Sequence, residues 1–154
     1  MNWLSHPAQP ADEADLERLR ELYAALGPGF PAEVVRVFAD EETSADGGWC
    51  LSYNGRRERC LPTTELSNHE LFAMPPTWEL IGVTVSRLSG RLTKRGEQLD
   101  AAGHLFCRPR GAWETMRLPF LHHWTLCAGK LLRFESLLDG IELCRAEAAA
   151  FGVS

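Results

Sequence analysis

Apolar and polar positions alternate with period two through the last third of the chain. From Met116 to Cys127 the run MRLPFLHHWTLC puts Phe120, His122, Trp124 and Leu126 on one strand face. One imidazole therefore stands in an otherwise apolar row, which lines either a packed core or a pocket. Cys127-Ala128-Gly129-Lys130 reads as a tight connection, with Gly129 supplying backbone freedom, and Leu131 to Leu138 as the next strand. Asp139 and Glu142 form a capping-box pattern that opens a closing helix.

Helical spacing dominates the other end. Leu16, Leu19, Tyr23 and Leu26 share one face, predicting a helix from about Asp12 that stops at Gly27-Pro28-Gly29. Pro31 suits the first turn of a short second helix with Val34, Val35 and Phe38 on its apolar side. Residues 64–74 read as a third helix, with Ser67 and Glu70 as a capping box, and Pro75-Pro76 ends it. Between them Trp49, Leu51 and Tyr53 alternate, and Asn54-Gly55 predicts a hairpin turn. Strands are expected at Trp78–Leu88, Leu99–Arg108 and Trp113–Cys127, the first two flanking a polar turn at Gly90–Gly96. Helices followed by a run of antiparallel strands predict an α+β fold, with helices on one face of a curved sheet.

A chain of 154 residues suits one domain with a substantial core, after a frayed arm over residues 1–11. The formal net charge of −5 and the absence of a long Lys/Arg cluster argue against nucleic acid. Neither a signal peptide nor a membrane-spanning run is visible, so a cytoplasmic location is expected. The five cysteines, Cys50, Cys60, Cys107, Cys127 and Cys144, are widely spaced with no CxxC pair, which suits reduced thiols. Cys107 and Cys127 are candidates for neighbouring strands. No two-His-one-carboxylate cluster and no phosphate-cradling glycine loop appears, so neither metal nor cofactor is expected.

The order helix, helix, short strand, helix, long antiparallel strands resembles the cone-shaped nuclear transport factor 2-like superfamily. Within it the chain is similar to SnoaL-like polyketide cyclases and ketosteroid isomerases. Leu22-Tyr23-Ala24-Ala25-Leu26, Val37-Phe38-Ala39-Asp40-Glu41, and Phe120-Leu121-His122-His123-Trp124 continuing through Gly129-Lys130-Leu131-Leu132-Arg133-Phe134 carry the likeness. It spans about residues 12–148, so residues 12–154 are expected to form one SnoaL-like domain. The resemblance implies a pocket between helices and concave sheet. By position it implies Asp46 as a carboxylate base and Tyr23 as a hydroxyl donor, and it puts His122 where the isomerases carry an acid. Histidine there, in an HxW strand, favours the SnoaL-like branch. Gly47-Gly48-Trp49 departs from the isomerase pattern.

The catalytic candidates are thus Asp46, His122 and Tyr23, each with a plain alternative as turn carboxylate, core histidine and packed tyrosine. Trp49, Trp78, His104, Phe120 and Trp124 are the candidate ligand-binding residues, since flat aromatic walls suit a small hydrophobic molecule. Trp113 adds another indole. Asp100 and His104 share one strand face, which is either the pocket face or the outer one. His123 and Thr125 point away from the pocket row and are expected to carry a homodimer through the outer sheet face. The expected activity is cofactor-free proton abstraction next to a carbonyl, giving isomerisation, aldol cyclisation or dehydration. A non-catalytic ligand-binding or dimerisation domain is the rival reading.

Overall fold

A computed structural model describes residues 12–26, 32–33, 49–53, 56–61, 65–66, 71–72, 74, 77–128 and 130–138. In chain order its elements are α1 (Glu13–Ala25), β1 (Ala32–Glu33), β2 (Trp49–Tyr53), β3 (Arg56–Leu61), β4 (Glu65–Leu66), β5 (Trp78–Thr93), β6 (Gly96–Pro109), β7 (Met116–Cys127) and β8 (Lys130–Leu138). Six strands make one sheet in the order β3-β2-β8-β7-β6-β5. The fold class is α+β, as the pattern predicts.

Strands β5 to β8 form an antiparallel meander. Alternation decides its two faces. Along β7, Leu118, Phe120, His122, Trp124 and Leu126 are buried while their neighbours are not. On β6 the matching inward row is Leu99, Ala101, Gly103, Leu105 and Cys107. Gly103 has a packing reason, because a Cβ there would overlap the Thr84 carbonyl of β5. The β5–β6 hairpin turns at Lys94-Arg95, so the polar stretch Gly90–Thr93 is strand rather than turn. Its closing residue Gly96 has φ +130°, a value that favours glycine. In the β7–β8 connection Ala128 takes a positive φ of 52°, and Gly129 lies outside the described residues.

Strands β2 and β3 pair antiparallel with Tyr53 opposite Arg56, and Asn54-Gly55 between them lie outside the described residues. Strand β2 runs parallel to β8, which extends the meander to six strands. Helix α1 opens on Asp12, whose Oδ1 accepts from the Ala14 amide at 2.9 Å. It buries Leu16, Leu19, Leu22 and Tyr23 and packs against β5. With Leu71, Phe72, Trp78 and Phe134 these side chains close one core against the inward sheet face. Among the described residues, no helix is long and apolar enough to cross a membrane.

Two expectations are corrected. Ala32–Glu33 and Glu65–Leu66 pair as short antiparallel strands, so neither the helix after Pro31 nor the helix over 64–74 starts where the sequence places it. A proline's φ suits extended chain as well as helix, and pairing with Glu65–Leu66 decides for strand at Ala32–Glu33. Leu71 is helical. Phe72 lies in a turn and Met74 in neither helix nor strand; the other residues of those two helices, and the helix expected from Asp139, lie outside the described residues. Cys107 and Cys127 do sit on adjacent strands, but Cys107 faces Met116 and Cys127 faces Lys130, at opposite ends of β7. Both are free thiols, and burial pushes Cys107 up to about 12.

Candidate functional site

The inward face of β7 meets the inward face of α1 at three polar atoms. Trp124 Nε1 donates to Tyr23 Oη at 3.1 Å, and Tyr23 Oη lies 2.5 Å from His122 Nδ1. Helical periodicity aims Tyr23 at the sheet, and strand alternation sets His122 and Trp124 side by side on it. Around the imidazole stand the rings of Phe120, Phe134, Phe72 and Tyr23, with centroids 4.7, 4.9, 5.1 and 5.7 Å away. His122 has no solvent exposure at all.

Burial sets the protonation states. Desolvation raises the Tyr23 hydroxyl far above its ordinary range, partly opposed by the bond from Trp124, so the phenol stays protonated. Desolvation lowers His122 from 6.5 to about 3; the Leu71 backbone partly offsets this, and His123 adds to it. The imidazole is therefore neutral, with one N–H. Tyr23 needs an acceptor for its own proton, and Nδ1 is the acceptor beside it. This assigns the ring proton to Nε2. That atom makes no hydrogen bond, although the Leu71 backbone lies near the ring. The Ser136 hydroxyl, on the strand position paired with His122, is also buried and unpaired. A neutral imidazole with this tautomer is a hydrogen-bond donor, and a base only at acid pH.

A cavity of about 200 Å³ lies between α1 and β5, lined by Arg20, Tyr23, Ala24, Val83, Val85 and Leu88. Tyr23, which bonds His122, is one of its lining residues; His122 is not. A second buried polar cluster sits where α1 begins. Burial first, and then the carboxylates of Asp15 and Asp12, push Glu97 up to about 7.

These two groups predict a measurable pH behaviour. His122 binds fewer protons folded than unfolded, so its contribution to stability is present above 6.5 and lost as pH falls toward about 3. Glu97 binds more protons folded, so its contribution is present below 4.5 and lost as pH rises through about 7. Between about pH 4.5 and 6.5 the two slopes oppose each other. In thermal melts across that window, Glu97→Gln should make stability rise more steeply with pH than in the wild type. His122→Phe should tilt it the other way. Parallel curves for all three proteins would contradict these assignments.

Of the predicted site residues, Tyr23, His122, Phe120 and Trp124 come together. Trp78 is buried in the same core at the start of β5, opposite Pro109. His104 is corrected: it lies on the outer face of β6, opposite Pro119, with Nδ1 3.3 Å from Arg117. The register puts Ala101, not His104 or Asp100, beside inward-facing His122. Asp100 instead pairs with His123 at 2.5 Å on the outer face. Trp113 is 95% exposed and forms no wall. Asp46 and the Trp49 side chain lie outside the described residues. Phe72, Phe134 and Ser136 were not singled out in the sequence; the period-two pair Phe134/Ser136 was the available signal. Among the described residues no group of three His, Cys, Asp or Glu side chains could hold a metal ion.

No protein-family model and no curated protein matches the sequence. Solved structures do match over most of its length. A Jannaschia protein named as a SnoaL-like polyketide cyclase is 13% identical, with a TM-score of 0.50 over 95% of this chain and 97% of its own. An LEH-like epoxide hydrolase of M. tuberculosis is 6% identical, with a TM-score of 0.52 over 90% and 92%. An NTF2-like protein of Burkholderia thailandensis is 14% identical, with a TM-score of 0.51 over 86% and 96%. At such identities the likeness carries the fold alone: the chain shares its α+β architecture with these SnoaL-like, epoxide hydrolase-like and NTF2-like structures.

Proposed function

We propose that this chain is a cofactor-free pocket enzyme of the SnoaL-like type, removing a proton next to the carbonyl of a small hydrophobic substrate. The completed fold would be the family's cone, with three N-terminal helices and a C-terminal helix around the pocket. Asp46 is the proposed base. His122 is the proposed donor to the oxygen on which enolate charge develops, where a fixed dipole in a dry site acts most strongly. Tyr23 touches His122 and holds its tautomer, while Trp124 holds Tyr23. Phe120 and Trp124, with Trp49 and Trp78, supply apolar wall. Isomerisation, aldol cyclisation and dehydration all begin with this proton transfer.

The observation that carries the reading is a buried relay, Trp124 to Tyr23 to His122, ending on Nε2, which makes no well-formed hydrogen bond although the Leu71 backbone stands beside the ring. A structural histidine would ordinarily have both nitrogens satisfied. The test needs no knowledge of the natural substrate. 2-Tetralone in heavy water exchanges its α-protons slowly in buffer. The protein should accelerate that exchange, and Asp46→Asn should abolish the acceleration. No acceleration by wild-type protein would reject the enzymatic reading.

One observation favours the rival, a domain that only binds an apolar molecule. The α1–β5 cavity is lined mostly by aliphatic groups, and His122 is not among its lining residues. Under that reading ligands bind without exchange. In either case we propose a cytoplasmic protein that forms a homodimer through the outer sheet face, around His123 and Thr125. Sedimentation velocity at micromolar concentration should show a dimer that His123→Glu weakens. A strict monomer would remove this part.

A further inference from the structure

Two of the buried polar atoms on the inward sheet face that lack a hydrogen-bond partner, His122 Nε2 and Ser136 Oγ, belong to neighbouring residues. Ser136 on β8 is the cross-strand partner of His122 on β7. Directly paired residues share a face, with Cβ atoms roughly 4.5–5.5 Å apart. Neither residue has any solvent exposure, and neither His122 Nε2 nor Ser136 Oγ has a hydrogen-bond partner. They do not bond to each other. A buried polar atom left unpaired is costly, so two together point to an occupant that serves both.

We propose that Ser136 is the second donor of a two-point oxygen site, in which His122 Nε2–H and Ser136 Oγ–H together hold the carbonyl oxygen of a neutral, apolar carbonyl compound. The proposal deepens the functional reading above and rests on its inward-facing donor. Three features define the ligand. Tyr23 occupies Nδ1, so His122 can only donate from Nε2. A carbonyl oxygen has two lone pairs and no proton, which matches two donors. A water held by both donors would still need acceptors for its own two protons; the rings of Phe72, Phe120 and Phe134 provide none, and among the described residues the Leu71 backbone is the acceptor placed to compete. Neither donor is charged and neither atom has a charged partner, so a carboxylate there would be desolvated without compensation. A ketone, aldehyde or ester fits; an acid does not. Ser136 touches the substrate oxygen in this scheme and takes no part in moving the proton.

The experiment compares three probes of one shape: 2-tetralone, the hydrocarbon tetralin and the anion 2-naphthoate. Affinities come from tryptophan fluorescence, and the carbonyl of bound 2-tetralone is followed by infrared difference spectroscopy. Wild-type protein should bind 2-tetralone about fivefold or more tighter than tetralin, as one net hydrogen bond provides. It should bind 2-naphthoate more weakly than either, and lower the carbonyl stretch of the ketone. Ser136→Ala should weaken 2-tetralone about fivefold, leave tetralin unchanged and return the stretch part of the way. Equal affinity for ketone and hydrocarbon, tighter binding of the anion, or no binding of any probe to wild-type protein would overturn the site. So would a stretch indifferent to Ser136→Ala, which would mean that a buried water or the Leu71 backbone satisfies the pair. A folding defect in the variant leaves the wild-type comparison decisive. Ketone preference without α-proton exchange would retain this site and reject the enzymatic reading. Exchange unaffected by Ser136→Ala would do the reverse.

Discussion

Trp124→Ala is expected to lower unfolding free energy by about 3–5 kcal/mol, the range for deleting a fully buried indole. For a domain of this size that corresponds to a fall in Tm of roughly 6–20 °C. The indole is wholly buried, packs against Phe134 with centroids 4.5 Å apart, and gives its N–H to Tyr23. Its loss leaves a cavity under the sheet and removes the donor that fixes the phenol. Trp113→Ala is the control: that indole is almost entirely exposed, and its removal should stay within about 0.5 kcal/mol of wild type. Calorimetry of both variants checks the pair. Similar melting points for the two would mean that the core does not close around β7.

His122→Ala should slow catalysed α-proton exchange of 2-tetralone by about 10²–10³-fold, the cost of losing one oxyanion donor. Tyr23→Phe should slow it less, since the imidazole remains but its tautomer is no longer enforced. The pH dependence separates two roles for the ring. Burial lowers His122 to about 3, so a donor role gives no inflection from this residue across neutral pH. A base role requires one near its titration point. Wild-type activity that falls through an inflection near pH 6.5, abolished by His122→Ala, would restore the imidazole as the base. Unchanged exchange in His122→Ala would remove it from the chemistry.

The sheet was legible because its strands are long and its central pair, β6 and β7, alternates buried and less buried positions. Phe120, His122, Trp124 and Leu126 face inward as the period of two requires. The first helix was legible from its spacing, and the structure makes Asp12 its cap. Other features were hidden for a common reason: each depends on a partner distant in sequence. Alternation puts Asp100 and His104 on one face but cannot say which; the β6–β7 register sends both outward. The parallel pairing of β2 with β8 has no local signature. Ala32–Glu33 reads as helix until Glu65–Leu66 pairs with it. Tyr23 and His122 were each visible as candidates, but not their mutual bond across 99 residues, which turns the imidazole from a candidate base into a donor. Ser136 became a site residue only when the β7–β8 register set it opposite His122. The carboxyl cluster of Asp12, Asp15 and Glu97 joins the helix start to a distant strand and was equally invisible.

The central claim is that His122 is a permanently neutral imidazole whose single proton sits on Nε2, held there by the Tyr23 hydroxyl. Nitrogen-15 NMR of the labelled histidine side chains reads this directly. The account predicts one pyrrole-like signal from Nε2 and one pyridine-like signal from Nδ1, both unmoved between about pH 5 and 8, with the pattern altered in Tyr23→Phe. A proton on Nδ1, or a ring that titrates within that range, would contradict it.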